Sequence, residues 1–171
     1  MIKLIDILKE AKQVGLLYHS TSGENLNSIL RSNTLKGNQD SNYAMTAGIQ
    51  ISFTRDKNYR PGEYTIEIDG DKLSNNYKIT PFAYDQDERG QAEEVVKQDI
   101  KDFKKYIKNI YANVEVVQNK SFKEIEKIMQ LYPSLRFTIG GEVDPGEGGG
   151  SEAVRELPKA EAITYIKYNK Y

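Results

Sequence analysis

The chain of 171 residues has no cysteine, no tryptophan and a single histidine, His19. Without cysteine there is no disulfide, no thiolate-bound zinc and no cysteine nucleophile. One histidine rules out a histidine-rich metal centre, and any Ser-His-Asp triad would have to run through His19. Accordingly no metal site is expected. Charge of one sign is also lacking. The 24 basic and 25 acidic side chains leave a formal net charge of −1, so no global field favours nucleic acid or an anionic membrane. No apolar run approaches the roughly 18–20 residues that span a bilayer. The opening MIKLIDILKEAKQVG sets Ile2, Leu4, Ile5, Ile7 and Leu8 around Asp6, Lys9 and Glu10. That is a helical stripe with acids inside it, unlike the continuous apolar segment of a signal peptide. The expectation is a cytoplasmic monomer with no membrane partner, whose first helix, over 1–14, packs on the body.

What is present reads as one domain, since domains cluster near about 100–200 residues. Leu16–His19 reads as a short buried strand, Ser20–Gly23 as a turn, and Glu24–Arg31 as a helix with Leu26, Ile29 and Leu30 on one side. The polar stretch 32–48 reads as a long loop. Residues 49–55 alternate, with Ile49, Ile51 and Phe53 inward against Gln50, Ser52 and Thr54. Residues 64–70 predict a second alternating strand, 76–82 a third, and 91–97 either a strand or a helix start. Ile100, Phe103, Ile107 and Ile110 stand at helical spacing and predict a helix over 99–110. A strand over 112–118 and an amphipathic helix over 121–132 follow, with Ser121 as N-cap and Glu124 at the capping-box position. Residues 136–141 predict a short strand and 141–152 a flexible, acidic, glycine-dense loop, before a closing strand over 162–168. Short strands with segregated helices argue for a single compact α+β domain over 1–171.

The glycine-dense loop is not a phosphate cradle. A P-loop needs G-x-x-x-x-G-K-[ST] between strand and helix. This loop carries Glu142, Asp144, Glu147 and Glu152 and no lysine. Their spacing fits no EF-hand. No G-x-S-x-G elbow accompanies the serines near His19. Glu63, Glu67, Glu93 and Glu94 offer carboxylates for glycoside chemistry, but nothing in their spacing singles out a pair. Lys101, Lys104, Lys105 and Lys108 read as one solvated helix face able to meet a phosphate backbone.

Three separated pieces belong together. His19-Ser20-Thr21 precedes Asn25-Leu26-x-x-Ile29-Leu30. A histidine and a hydroxyl two residues apart on a strand point to one side and can reach the same ligand. Ser52-Phe53-Thr54-Arg55 ends a half-buried strand in an arginine. Gln91-Ala92-Glu93-Glu94-Val95-Val96 sets carboxylates against an apolar pair.

In this order the pieces resemble the ADP-ribosyltransferase superfamily, and most closely its DarT-like branch, which modifies DNA bases. That branch shows H-x-T-x-x-x-N-L-x-x-I-L near its N-terminus, matched from His19 to Leu30. An arginine follows its central strand, matched by Arg55, and an A-E-x-x-V segment holds its catalytic glutamate, matched at Glu93. The resemblance covers residues 16 to about 110. Glu94 stands where the branch has an apolar residue, so the catalytic carboxylate is Glu93 or Glu94. The loop after Tyr43 and the shorter chain also depart from the branch. The MIKLIDIL opening and compact size resemble accessory proteins of tailed phages, which would place the protein in the host cytoplasm.

The resemblance implies split mixed and antiparallel sheets with flanking helices, and NAD as substrate. It implies transfer of ADP-ribose to a nucleic-acid base or a protein side chain with release of nicotinamide. Departure of nicotinamide builds positive charge on the ribose carbon, which a carboxylate at the ribose hydroxyl stabilises. By similarity Glu93, Glu94 and Arg55 are catalytic candidates. His19, Thr21, Asn25, Ser52 and Thr54 are the candidates for holding NAD. The alternatives are an RNA 2′-phosphotransferase-like enzyme and a non-catalytic nucleotide-binding or phage structural or regulatory protein that keeps the fold.

Overall fold

The computed structural model describes residues 14–37, 49–57, 62–81, 93–140 and 154–168. The glycine-dense loop expected over 141–152 lies outside them, as does the helix expected over 1–14 apart from Val14. Leu16–Thr21 (β1) lies between two strands that come later in the chain, Ile51–Thr54 (β3) and Tyr64–Asp69 (β4), antiparallel to both. On one flank β3 pairs with Glu93–Val96 (β6), which pairs with Thr80–Pro81 (β5). On the other, β4 pairs with Ile107–Asn113 (β8), followed by Arg136–Ile139 (β9) and Arg155–Leu157 (β10). The eight strands run β10-β9-β8-β4-β1-β3-β6-β5. Of these junctions only β8 with β9 is parallel. Thr34–Leu35 (β2) and Ile100–Lys101 (β7) form a separate antiparallel ladder. The result is a mixed α/β domain, mostly antiparallel in its sheet, with several helices.

Helix α1, Gly23–Ser32, begins where Ser22 Oγ accepts from the amide of Asn25 at 3.3 Å. It ends at Asn33 in the left-handed region, φ 53°, the conformation that closes helices. Its apolar stripe of Leu26, Ile29 and Leu30 is buried, as 3.6-residue spacing dictates. Gly70–Ser74 (α2) starts against β1: the Gly70 amide donates to the Gly15 carbonyl at 2.8 Å. A Cβ on Gly70 would lie 2.5 Å from that same oxygen, so the approach requires glycine. Val114–Val117 (α3), Phe122–Leu131 (α4) and Lys159–Tyr168 (α5) complete the helices. Leu17, Ile51, Phe53, Ile66, Ile68, Ile110 and Phe137 from the sheet share one core with Leu26, Ile125, Ile128 and Ile166 from the helices. No helix among the described residues is long and apolar enough to cross a membrane.

Several expectations are corrected. The helix expected over 99–110 is instead β7, a 3-10 turn Phe103–Tyr106 and the start of β8. Asp102 at φ 51° interrupts any helix there. Asn33 receives the Phe103 amide on its carbonyl and the Lys104 amide on Oδ1, at 3.0 and 2.8 Å. The lysines 101, 104, 105 and 108 therefore share no helix face. Of residues 112–118 only Ala112 and Asn113 are strand, the end of β8: Asn113 Oδ1 then caps the Glu115 amide at 3.1 Å and starts α3. Local capping overrides the β preference of three valines. Residues 162–168 are helical, with Ala162 and Ile166 buried four residues apart in α5. β4 does not alternate; Tyr64 through Ile68 are all buried because the strand is central and covered on both faces. The stretch 32–48 is not all loop, since β2 lies within it. Ile49 is exposed rather than inward. The strands β3 and β9 and the helix α4 lie where the sequence places them, although Ser121 makes no side-chain cap bond. β1 runs on through Ser20 and Thr21, expected in a turn, 93–96 is a strand rather than a helix start, and in the described part of the strand expected over 76–82 only Thr80–Pro81 is one.

Candidate functional site

The pairing of β1 with β3 is confined to Tyr18 opposite Thr54. A continued antiparallel ladder would bring Ser20 opposite Ser52. Instead the His19 ring bridges the strands, with Nδ1 3.0 Å from the Ser52 carbonyl oxygen. A carbonyl only accepts, so Nδ1 carries the proton and Nε2 of the neutral ring is left as an acceptor. The ring also lies 5.9 Å from that of Phe53, tilted by 60°. Burial lowers the His19 pKa from the ordinary histidine value, partly opposed by the bond to Ser52. The ring is therefore neutral at neutral pH.

Where β1 and β3 part, a cleft of about 450 Å³ opens, within the roughly 300–1,000 Å³ of small-molecule sites. It gathers His19 and Thr21 from β1, Asn25, Ser28 and Ser32 from α1, and Ser52 from β3. Positions 25, 28 and 32 follow helical spacing, which places them on one face of α1. Ile29, Leu35 and Ile51 supply its apolar lining, and Lys36 is the one permanent cation among the described lining residues. The cleft thus presents hydroxyls and amides over an apolar floor.

Four of the eight predicted site residues, His19, Thr21, Asn25 and Ser52, meet in this cleft. Arg55 and Glu94 meet each other instead. Arg55 Nε donates to Glu94 Oε1 at 2.7 Å, Nη2 donates to the same oxygen, and Nη1 reaches the Val14 carbonyl at 3.3 Å. The Glu94 side chain is 8% exposed, so this carboxylate is committed to its ion pair. Glu93 is opposite Thr54 in the β3–β6 ladder, and Val95 is opposite Ser52. Two residues of strand, about 7 Å, separate those pairs. Thr54 holds the turn after β3, its Oγ1 accepting from the Asp56 amide at 3.1 Å. Neither Thr54, Arg55 nor Glu94 lines the cleft.

Ser28, Ser32, Lys36 and Gln50 were not singled out in the sequence. The one available signal was the helical spacing of Asn25, Ser28 and Ser32. Glu63, considered only as a glycosidase carboxylate, anchors the cleft wall from behind. Its Oε2 accepts from the Gly23 amide at 2.8 Å, and its Oε1 pairs with Lys120 Nζ at 2.9 Å. Glu67, considered likewise, is buried on β4 and accepts from Tyr111 Oη at 2.8 Å and Asn109 Nδ2 at 3.0 Å. Both carboxylates have structural employment. No cluster of metal-ligating side chains exists among the described residues. Compared with protein-family models, curated proteins and solved structures, the chain matches none of them.

Proposed function

We propose that the protein is an NAD-dependent mono-ADP-ribosyltransferase, transferring ADP-ribose from NAD to a nucleic-acid base or a protein side chain and releasing nicotinamide. One observation carries this reading. The histidine, serine-arginine and glutamate segments, far apart in sequence, are the three neighbouring strands β1, β3 and β6. The cleft opens where the first two of these strands part, and β6 lies on the far side of β3. The adjacency of the three segments supports the reading, although the eight strands form one continuous sheet and not the split sheets that the resemblance implies.

In this reading His19 Nε2 accepts a hydrogen bond from a ribose hydroxyl, and Thr21 and Asn25 bind beside it. Lys36 balances pyrophosphate charge, because Arg55 is engaged by Glu94. Glu93 is the catalytic carboxylate, since its neighbour is held by the arginine. The bond between the ribose carbon and the nicotinamide nitrogen breaks, and its electron pair leaves with neutral nicotinamide. The carboxylate stabilises the positive carbon and takes the proton of the attacking acceptor. Arg55 acts as a positioning residue, fixing β6 beside β3.

A non-catalytic dinucleotide-binding module is the second reading, favoured by the mutual neutralisation of Arg55 and Glu94. Incubation with NAD labelled in the adenylate moiety, with single-stranded DNA, RNA and protein acceptors, separates the two. Label transfer with free nicotinamide supports the transferase. Binding without nicotinamide release supports the module, and absence of NAD binding at millimolar concentration rejects both.

A further inference from the structure

Gln50 lines the cleft, and its Oε1 is buried without any hydrogen-bond partner. A buried acceptor left unpaired is costly, and native proteins seldom keep one without a use for it. The surroundings hold its backbone closely. The Gly37 amide donates to Asp99 Oδ1 at 3.0 Å, which fixes the Lys36–Gly37 segment beside β3. A Cβ on Gly37 would stand 3.1 Å from both the amide nitrogen and the carbonyl oxygen of Gln50. The Gln50 backbone is thus clamped, whereas its amide oxygen is held by no bond. Turning that oxygen toward a ligand gives up no hydrogen bond.

The chemistry of this part of the lining narrows the ligand group. Leu35 and Ile51, sequence neighbours of Lys36 and Gln50, are apolar and almost wholly buried, so this end of the lining is apolar and dry. The hydroxyls and the His19 acceptor belong to other lining residues and suit the sugar. A carbonyl oxygen beside apolar side chains calls for an N–H donor attached to a flat ring. We propose that Gln50 is a specificity-determining residue of the cleft, its amide oxygen accepting a hydrogen bond from an NH2 group borne by an aromatic ring of the bound dinucleotide. This rests on the dinucleotide reading above. In NAD two groups have that chemistry, the amine of the adenine and the carboxamide of the nicotinamide.

Calorimetric titration of the whole chain with three probes tests the assignment: NAD, nicotinamide hypoxanthine dinucleotide and nicotinic acid adenine dinucleotide. One analogue should bind about tenfold more weakly than NAD, the value of one hydrogen bond, and which one identifies the ring. Gln50→Met should weaken NAD about tenfold and erase the preference over that analogue. Gln50→Glu, which keeps an acceptor, should retain the preference whatever its overall affinity. Without ligand, Gln50→Met should melt no lower than the parent, because it removes an unpaired buried oxygen; a purely structural glutamine would lower it. Parent protein that binds NAD while Gln50→Met binds it equally, or keeps the preference, overturns the role of Gln50 alone. Equal binding of all three probes by the parent does the same. Failure of the parent to bind NAD overturns the dinucleotide reading and this inference together.

Discussion

His19 Nδ1 meets the carbonyl oxygen of Ser52 at 3.0 Å, in the gap where β1 and β3 cease to pair. A side chain thereby substitutes for a rung of the ladder and holds the cleft mouth open. Its donor must stay on Nδ1 for the other nitrogen to accept from a ligand.

The first prediction concerns pH. Burial depresses the folded pKa of His19 below the ordinary 6.5. The unfolded chain therefore binds a proton that the folded one refuses. This contribution to stability is complete above about pH 6.5 and is lost as pH falls through the lower folded value. As the only histidine, His19 gives one imidazole resonance, and its NMR titration should have a midpoint below 6.5. Urea denaturation from pH 8 to 5 should show the matching loss, absent in His19→Gln. A midpoint at or above 6.5 would contradict the neutral ring.

The second concerns the ion pair. Arg55→Met leaves Glu94 buried without a partner and should destabilise by about 3 kcal/mol. Adding Glu94→Leu should restore most of that loss, because an apolar pair carries no unpaired charge. Denaturant unfolding of the single and double variants measures the coupling, and additive losses would show the pair to be energetically idle.

The third separates the adjacent glutamates. Glu94→Gln should lower stability by about 2 kcal/mol, through weakening of a charge-assisted bond. Glu93→Gln should keep the parent melting temperature and lose nicotinamide release. The reverse pattern would move the catalytic role to Glu94.

The fourth tests the support behind the cleft. Glu63→Ala removes the acceptor of the Gly23 amide and the partner of Lys120. It should cost about 1 kcal/mol, as loss of a helix cap does. It should also weaken ligand binding several-fold, since α1 carries Asn25, Ser28 and Ser32. Unchanged affinity in calorimetry would mean that α1 keeps its place without this anchor.

Which parts were legible in the sequence follows from the range of the forces involved. Helix α1 was readable because its Leu26-Ile29-Leu30 stripe acts within five residues, whereas its ends at Ser22 and Asn33 were not singled out. The strand at 93–96 could not be told from a helix start, because its identity depends on pairing with β3 some forty residues earlier. Phe103 and Tyr106 imitate helical spacing because a 3-10 turn also buries residues three apart. The joining of His19, Thr21, Asn25 and Ser52 was legible from strand alternation and motif order. The engagement of Arg55 by Glu94 was not, because it requires the register that sets Phe53 opposite Glu94. Glu67 looked like an outward residue of a half-covered strand, and only the flanking β1 and β8 make it an interior one.

The position of β4 also bears on how the chain is made. Its partners are β1, synthesised more than forty residues earlier, and β8, synthesised more than thirty residues later. Until residues 107–113 leave the ribosome, β4 has one unpaired edge, with Tyr64, Ile66 and Ile68 ready to join any neighbouring strand. Open apolar edges of this kind invite pairing between chains. Nascent chains stopped between β6 and β8 should accordingly require chaperone protection, and release from it should coincide with arrival of Ile110 and Tyr111.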